Sequence, residues 1–160
     1  MHPPPLRDAN ARDLLALAEL ERDANLAALA HIFAPDQFPF PFDDVLARWR
    51  LVLDDPTTVV LVLDAAPGAL AAFVAYDDRT LRHVAVHPER WGEGLGRTAV
   101  GVAVLGMVDR GCREASLWAL VANVRARGLY ATLGWQETDE TREAPWPPHP
   151  LESRWVLPLG

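Results

Sequence analysis

Along the chain, apolar positions change period several times. Near the start, Leu14, Leu17, Ala18, Leu26, Leu29 and Ala30 recur at helical spacing. Asn10 is placed to cap that helix, and a break is expected near Asn25. The stretch "HIFAPDQFPFPF" is punctuated by prolines and excludes regular helix. Asp43 or Asp44 then predicts the cap of a short helix with Val45, Trp49 and Val52 on one face, stopped by Pro56. Next come "TTVVLVLD", "ALAAFVAY" and "LRHVAVHP" in quick succession, with turns at Pro67–Gly68 and "DDRT". Such runs predict an antiparallel meander, its first strand buried on both faces.

From Gly96 the period returns to that of a helix, carrying Ala99, Val100, Ala103 and Met107 and ending at Gly111. "EASLWALV" reads as a strand, and Asn123 as the cap of a helix closed by Gly134. "WQETDE" and "SRWVLPL" read as final strands on either side of the loop "EAPWPPHP". Strand, glycine turn, helix, strand, helix is a crossover unit within a mostly antiparallel sheet. No repeat, linker or low-complexity tail interrupts the pattern, so residues 1–160 are expected to form a single domain.

Composition narrows the chemistry. The formal charge is −7 and the pI near 5.1, which disfavours nucleic acid and anionic membrane as partners. All 15 basic residues are arginine, so neither a Schiff-base lysine nor a phosphate-loop lysine is available. Cys112 is the only cysteine, which excludes an intrachain disulfide and a cysteine-rich metal site. His83 and His87 lie four residues apart, about 13 Å on a strand, too far to share a metal. "MHPPPLRDAN" has no basic segment leading into an apolar stretch, and "TAVGVAVLGMV" falls short of the roughly 20 residues of a membrane helix. The expectation is therefore a cytoplasmic protein without metal or membrane partner.

The segment "ERWGEGLGRTAV" places Gly92, Gly94 and Gly96 at the opening of a helix. Consecutive backbone amides and the positive helix end suit a phosphate there. The dinucleotide fingerprint does not fit, because the third glycine comes four positions after the first rather than five. Two longer stretches carry a resemblance instead. "VAVHPERWGEGLG" resembles the pyrophosphate-binding signature of the GNAT superfamily of N-acetyltransferases. Gly94 and Gly96 stand in its glycine places, and Trp91 where Gln or Arg is usual. "NVRARGLYATLGW" is similar to that family's C-terminal motif. Asn123, Ala126, Tyr130 and Gly134 match in register, and Trp135 replaces the usual Phe.

The resemblance implies an α/β (α+β) fold. Its central sheet is mixed, mostly antiparallel, of six to seven strands, splayed into a V and flanked by about four helices. It implies acetyl-CoA as co-substrate, wedged between "LRHVAVHP" and "EASLWALV". The pantetheine arm would pair with backbone groups of Val84 and Val86, and the pyrophosphate would rest on amides from Trp91 through Gly92, Glu93, Gly94, Leu95 and Gly96 to Arg97. Asn123 would touch the pantetheine region, and Tyr130 would protonate or hydrogen-bond the CoA sulfur. Thr80 stands where some family members carry a basic glutamate, which leaves His83, inside the strand, as the candidate base. A half-buried structural histidine is the alternative at that position.

The acceptor side is read from "QFPFPFDD". Phe38 and Phe40 in a proline-stiffened loop are candidate substrate-binding residues, or else a lid over the core. The expected function is acetyl transfer to a primary amine of a small molecule. A protein or peptide acetyltransferase and a non-catalytic acyl-CoA-binding module remain open beside it. A homodimer is compatible with the resemblance.

Overall fold

The computed structural model describes residues 6–160. Two sheets meet edge to edge. The first has the order β1–β2–β3–β4, with β1 Arg7–Asp8, β2 Val59–Ala66, β3 Ala69–Tyr76 and β4 Leu81–Val86, all antiparallel. The second has the order β5–β7–β6, with β5 Glu114–Leu120, β6 Gln136–Glu143 and β7 Leu151–Pro158. Only a parallel bridge between Thr80 and Ser116 joins them, where the Ser116 amide donates to the Arg79 carbonyl at 2.9 Å. Beyond that bridge β4 and β5 part, and the seven strands form the expected V.

Helices cover both faces. α1 (Leu14–Leu29) and α2 (Phe42–Asp54) pack on one side, where Leu17, Val45, Trp49, Val62 and Phe73 form a core. α3 (Leu95–Asp109) and α4 (Val124–Thr132) lie on the other, around Val74, Ala103, Met107, Leu117 and Tyr130. Phe73 and Val74 are neighbours in β3 yet belong to opposite cores, as strand alternation requires.

Several local expectations are corrected. α1 runs unbroken through Asn25, because no proline or glycine interrupts it and Leu17, Ala18 and Leu20 hold its buried face; Leu26 is exposed. Asn10 caps a short 3-10 turn, Ala11–Asp13, in a reciprocal capping box with Asp13 that leads into α1. Asp43 and Asp44 occupy the first turn of α2, behind Pro41, rather than its cap. The two-residue strand β1 is new; it is tied down by Arg7, which donates to Asp13 at 2.8 Å and to Asp64 at 2.9 Å. The order β5–β7–β6 puts the last strand between the two before it, which no local pattern announces.

Candidate functional site: the cleft between β4 and β5

A strand edge without a neighbour leaves peptide groups unpaired. The His87 amide donates to Ala71 at 2.8 Å, so the ladder alternation turns His83 and Ala85 peptide groups toward β3. Val84 and Val86 therefore present theirs to the gap. The orientation is visible at Val86, whose carbonyl accepts the Trp91 indole N–H at 2.9 Å. A cavity of about 620 Å³ fills the gap between the splayed strands, walled by α1, β4, the glycine turn, β5, α4 and β7.

One end of the cavity is the start of α3. Gly92 and Gly94 have φ of 87° and 81°, and a Cβ on either would meet nothing within 4 Å. They supply left-handed turns under open space. Gly96 serves a different purpose: a Cβ there would stand 3.3 Å from Leu129, so its small size lets α4 approach α3. The first bond within α3 runs from Thr98 N–H to the Gly94 carbonyl, and no side chain caps the helix. The amides of Leu95, Gly96 and Arg97 are thus unsatisfied donors at the positive helix end. Arg97 in that first turn opposes the dipole, an arrangement that an anion would reverse. Gly92, Gly94, Leu95, Gly96 and Arg97 line the cavity; the Glu93 side chain turns aside to accept from Arg90 at 2.8 Å.

Tyr130 also lines the cleft. Its ring packs between Trp135 and Trp155, with centroids at 6.1 and 6.4 Å, and its hydroxyl makes no hydrogen bond among the described residues. Burial pushes its pKa up to about 12, which keeps the phenol protonated and a donor. Asn123 caps α4 by accepting from the Ala126 amide at 3.2 Å and also borders the cavity. The Asn123–Tyr130 spacing thus sets both at the same cleft.

His83 lines the α1 side, its ring 5.1 Å from that of Trp49. Burial, with added repulsion from Arg48 and Arg82, pulls its pKa down to about 3. The imidazole is therefore neutral at physiological pH. Phe38 and Phe40 do not border the cavity. Phe40 packs with the α1–α2 core and sits 6.5 Å from Phe42, which favours the lid alternative.

The α1-side wall is made of residues that no motif marked: Glu21 and Asn25 of α1, Trp118 of β5 and Glu152 of β7. Glu21 accepts from Arg48 and, at 2.9 Å, from the Trp49 indole. Glu152 accepts from Arg142 at 2.8 Å, and the Arg142 guanidinium lies 4.3 Å from the Trp118 ring centre. Alternation in β7, with Ser153 and Trp155 buried, was the one available sign that Glu152 faces the other way. Among the described residues, no cluster has metal-ligand geometry and no helix is long and apolar enough to cross a membrane.

Comparison with known proteins bears on the fold and the family. A ribosomal protein bS18-alanine N-acetyltransferase, so named, of Bacillus subtilis is 33% identical over 89 residues, 53% of this chain and 58% of its own length. A mycothiol acetyltransferase of Beutenbergia cavernae is 32% identical over 123 residues, 72% of this chain and 41% of its own. The matched segments thus span about half the length of these relatives. The crystal structure of PaiA N-acetyltransferase from Thermoplasma acidophilum, in complex with coenzyme A, superposes with a TM-score of 0.73 at 16% identity, covering 97% of this chain and 98% of that one. The description of the acetyltransferase (GNAT) family matches residues 16–135. Three-quarters of the sequence carries the pattern, and the chain belongs to the GNAT family of acetyltransferases.

Proposed function

We propose that this chain transfers the acetyl group of acetyl-CoA to a primary amine of a small molecule. The observation that carries the reading is the alignment along one cleft of three features. Uncapped α3 amides suit a pyrophosphate, the gap-facing peptide groups of Val84 and the Val86 N–H suit the amides of a pantetheine arm, and the Tyr130 phenol lines the same cavity.

In the reaction the amine lone pair attacks the thioester carbonyl, the C–S bond breaks, the thiolate takes or hydrogen-bonds the Tyr130 proton, and the proton lost by the new amide nitrogen restores the phenol or completes the thiol. Burial pushes the phenol's pKa up to about 12, so it stays neutral and offers its O–H as a hydrogen-bond donor to the departing sulfur. The acceptor must shed its own proton before attack. Glu21 and Glu152 line the α1 side of the same cavity, where their carboxylates offer negative charge to an incoming ammonium.

A peptide amino terminus is the second reading, favoured by the Bacillus subtilis relative whose name gives a ribosomal-protein alanine as acceptor. Thiol release from acetyl-CoA separates the two. A panel of polyamines, amino acids and aminoglycosides is set against peptides beginning with alanine. Amine-dependent release with the small molecules alone supports the first reading, and release with the peptides alone replaces it by the second.

A further inference from the structure

Across the mouth of the cleft two side chains from opposite walls meet. Trp91 comes from the β4–α3 connection and Arg125 from the first turn of α4, and the Arg125 guanidinium lies 3.8 Å from the Trp91 ring centre. The indole is not free to swing, because its N–H is fixed to the Val86 carbonyl at 2.9 Å. Arg125 makes no hydrogen bond or ion pair among the described residues, in contrast to Arg90, which is held by Glu93 at 2.8 Å. Both members of the pair line the cavity beside Gly92 and Gly94.

A guanidinium lying flat on an indole keeps the N–H groups at its edge available for a planar, bidentate contact. Arg125 also sits at a helix N-terminus, where a cation opposes the dipole unless an anion lies beside it. We infer that Arg125 binds the cofactor's pyrophosphate opposite the α3 amides, and that Trp91 is the platform that positions it. The pair then serves as a clasp from one wall of the V to the other. This inference rests on the acetyl-CoA reading above.

Isothermal titrations with CoA, 3′-dephospho-CoA and pantetheine test it. Arg125→Ala, an exposed change that leaves the core intact, should weaken CoA and 3′-dephospho-CoA alike by about tenfold or more, with pantetheine unchanged. Arg125→Lys should recover only part of the loss, since an ammonium lacks the planar fork. Trp91→Ala should reproduce the loss, and the double variant should be no worse than either single one. Loss for CoA but not for 3′-dephospho-CoA would move Arg125 to the 3′-phosphate and overturn the assignment. Unchanged affinity in Arg125→Ala, or equal weakening of all three ligands, would also overturn it. Wild type that binds none of the three would instead remove the acetyl-CoA reading itself.

Discussion

The two sides of the cleft are built on different principles. The side facing α3 and α4 relies on backbone: uncapped amides after Gly94, the free edge of Val84 and Val86, and the Asn123 cap. The side facing α1 relies on side chains from remote elements: Glu21 and Asn25, His83, Trp118 and Glu152. Backbone recognition demands particular dihedrals and caps, so it constrains which residues can stand at each place. Side-chain recognition tolerates many residue types and can be rebuilt for a new acceptor. Under the proposed function, the contrast would let one fold hold a fixed cofactor while its second substrate varies.

Breaking the chemistry that joins the two sides should have the largest effect. Tyr130→Phe removes one hydroxyl from a ring wedged between Trp135 and Trp155, so fold and cofactor affinity should survive. Turnover should fall roughly 100-fold, measured as single-turnover thiol release. Unchanged single-turnover rates would assign Tyr130 to packing alone.

The side-chain wall should respond more gently and selectively. Glu152→Gln retains shape but removes the charge; the acceptor's KM should rise about tenfold while acetyl-CoA affinity stays within a few-fold. Equal weakening of both substrates would place Glu152 in the support of the cleft. Steady-state kinetics with each substrate varied in turn tells these apart.

The smallest effect sharpens the role of His83. Its folded pKa near 3 lies below the ordinary 6.5, so between these values the unfolded chain binds a proton that the folded one refuses. Stability should accordingly decline as pH falls through that window, by at most about 1.4 kcal/mol per pH unit from this group. Urea titrations at pH 7 and pH 5 should show a smaller decline in His83→Leu than in wild type. The pH–rate profile should carry no inflection near neutrality from His83, and one that vanishes in His83→Leu would restore it as the base.

The same division governs what could be read from sequence. The meander from Val59 to Val86, the helix read from Gly96, which begins one residue earlier at Leu95, and the Asn123 cap all rest on local dihedral and capping rules. The continuous α1 was less legible, since asparagine is only a weak helix breaker and burial of Leu17 and Leu20 decided the matter. β1 owes its existence to Arg7 reaching Asp13 and Asp64, contacts that local pattern cannot supply. The α1-side wall was invisible for a related reason: Glu21 and Glu152 stand far apart in the chain and come to line one cavity only through the fold. Of the motif's phenylalanines, Phe40 and Phe42 pack against the α1–α2 core, a placement that the alternation of Phe and Pro does not announce.

Arg97→Glu tests the central claim most directly, because it sets stability against binding. A carboxylate in the first turn of α3 should favour the helix dipole, so the unliganded protein should melt at the same temperature or slightly higher. The same charge would repel a pyrophosphate from the α3 amides. In thermal melts, CoA at 100 times its dissociation constant should stabilise wild type by about 2.7 kcal/mol. For Arg97→Glu at that concentration, most of this gain should vanish. A variant stabilised by CoA as much as wild type would contradict the placing of the phosphates on this turn.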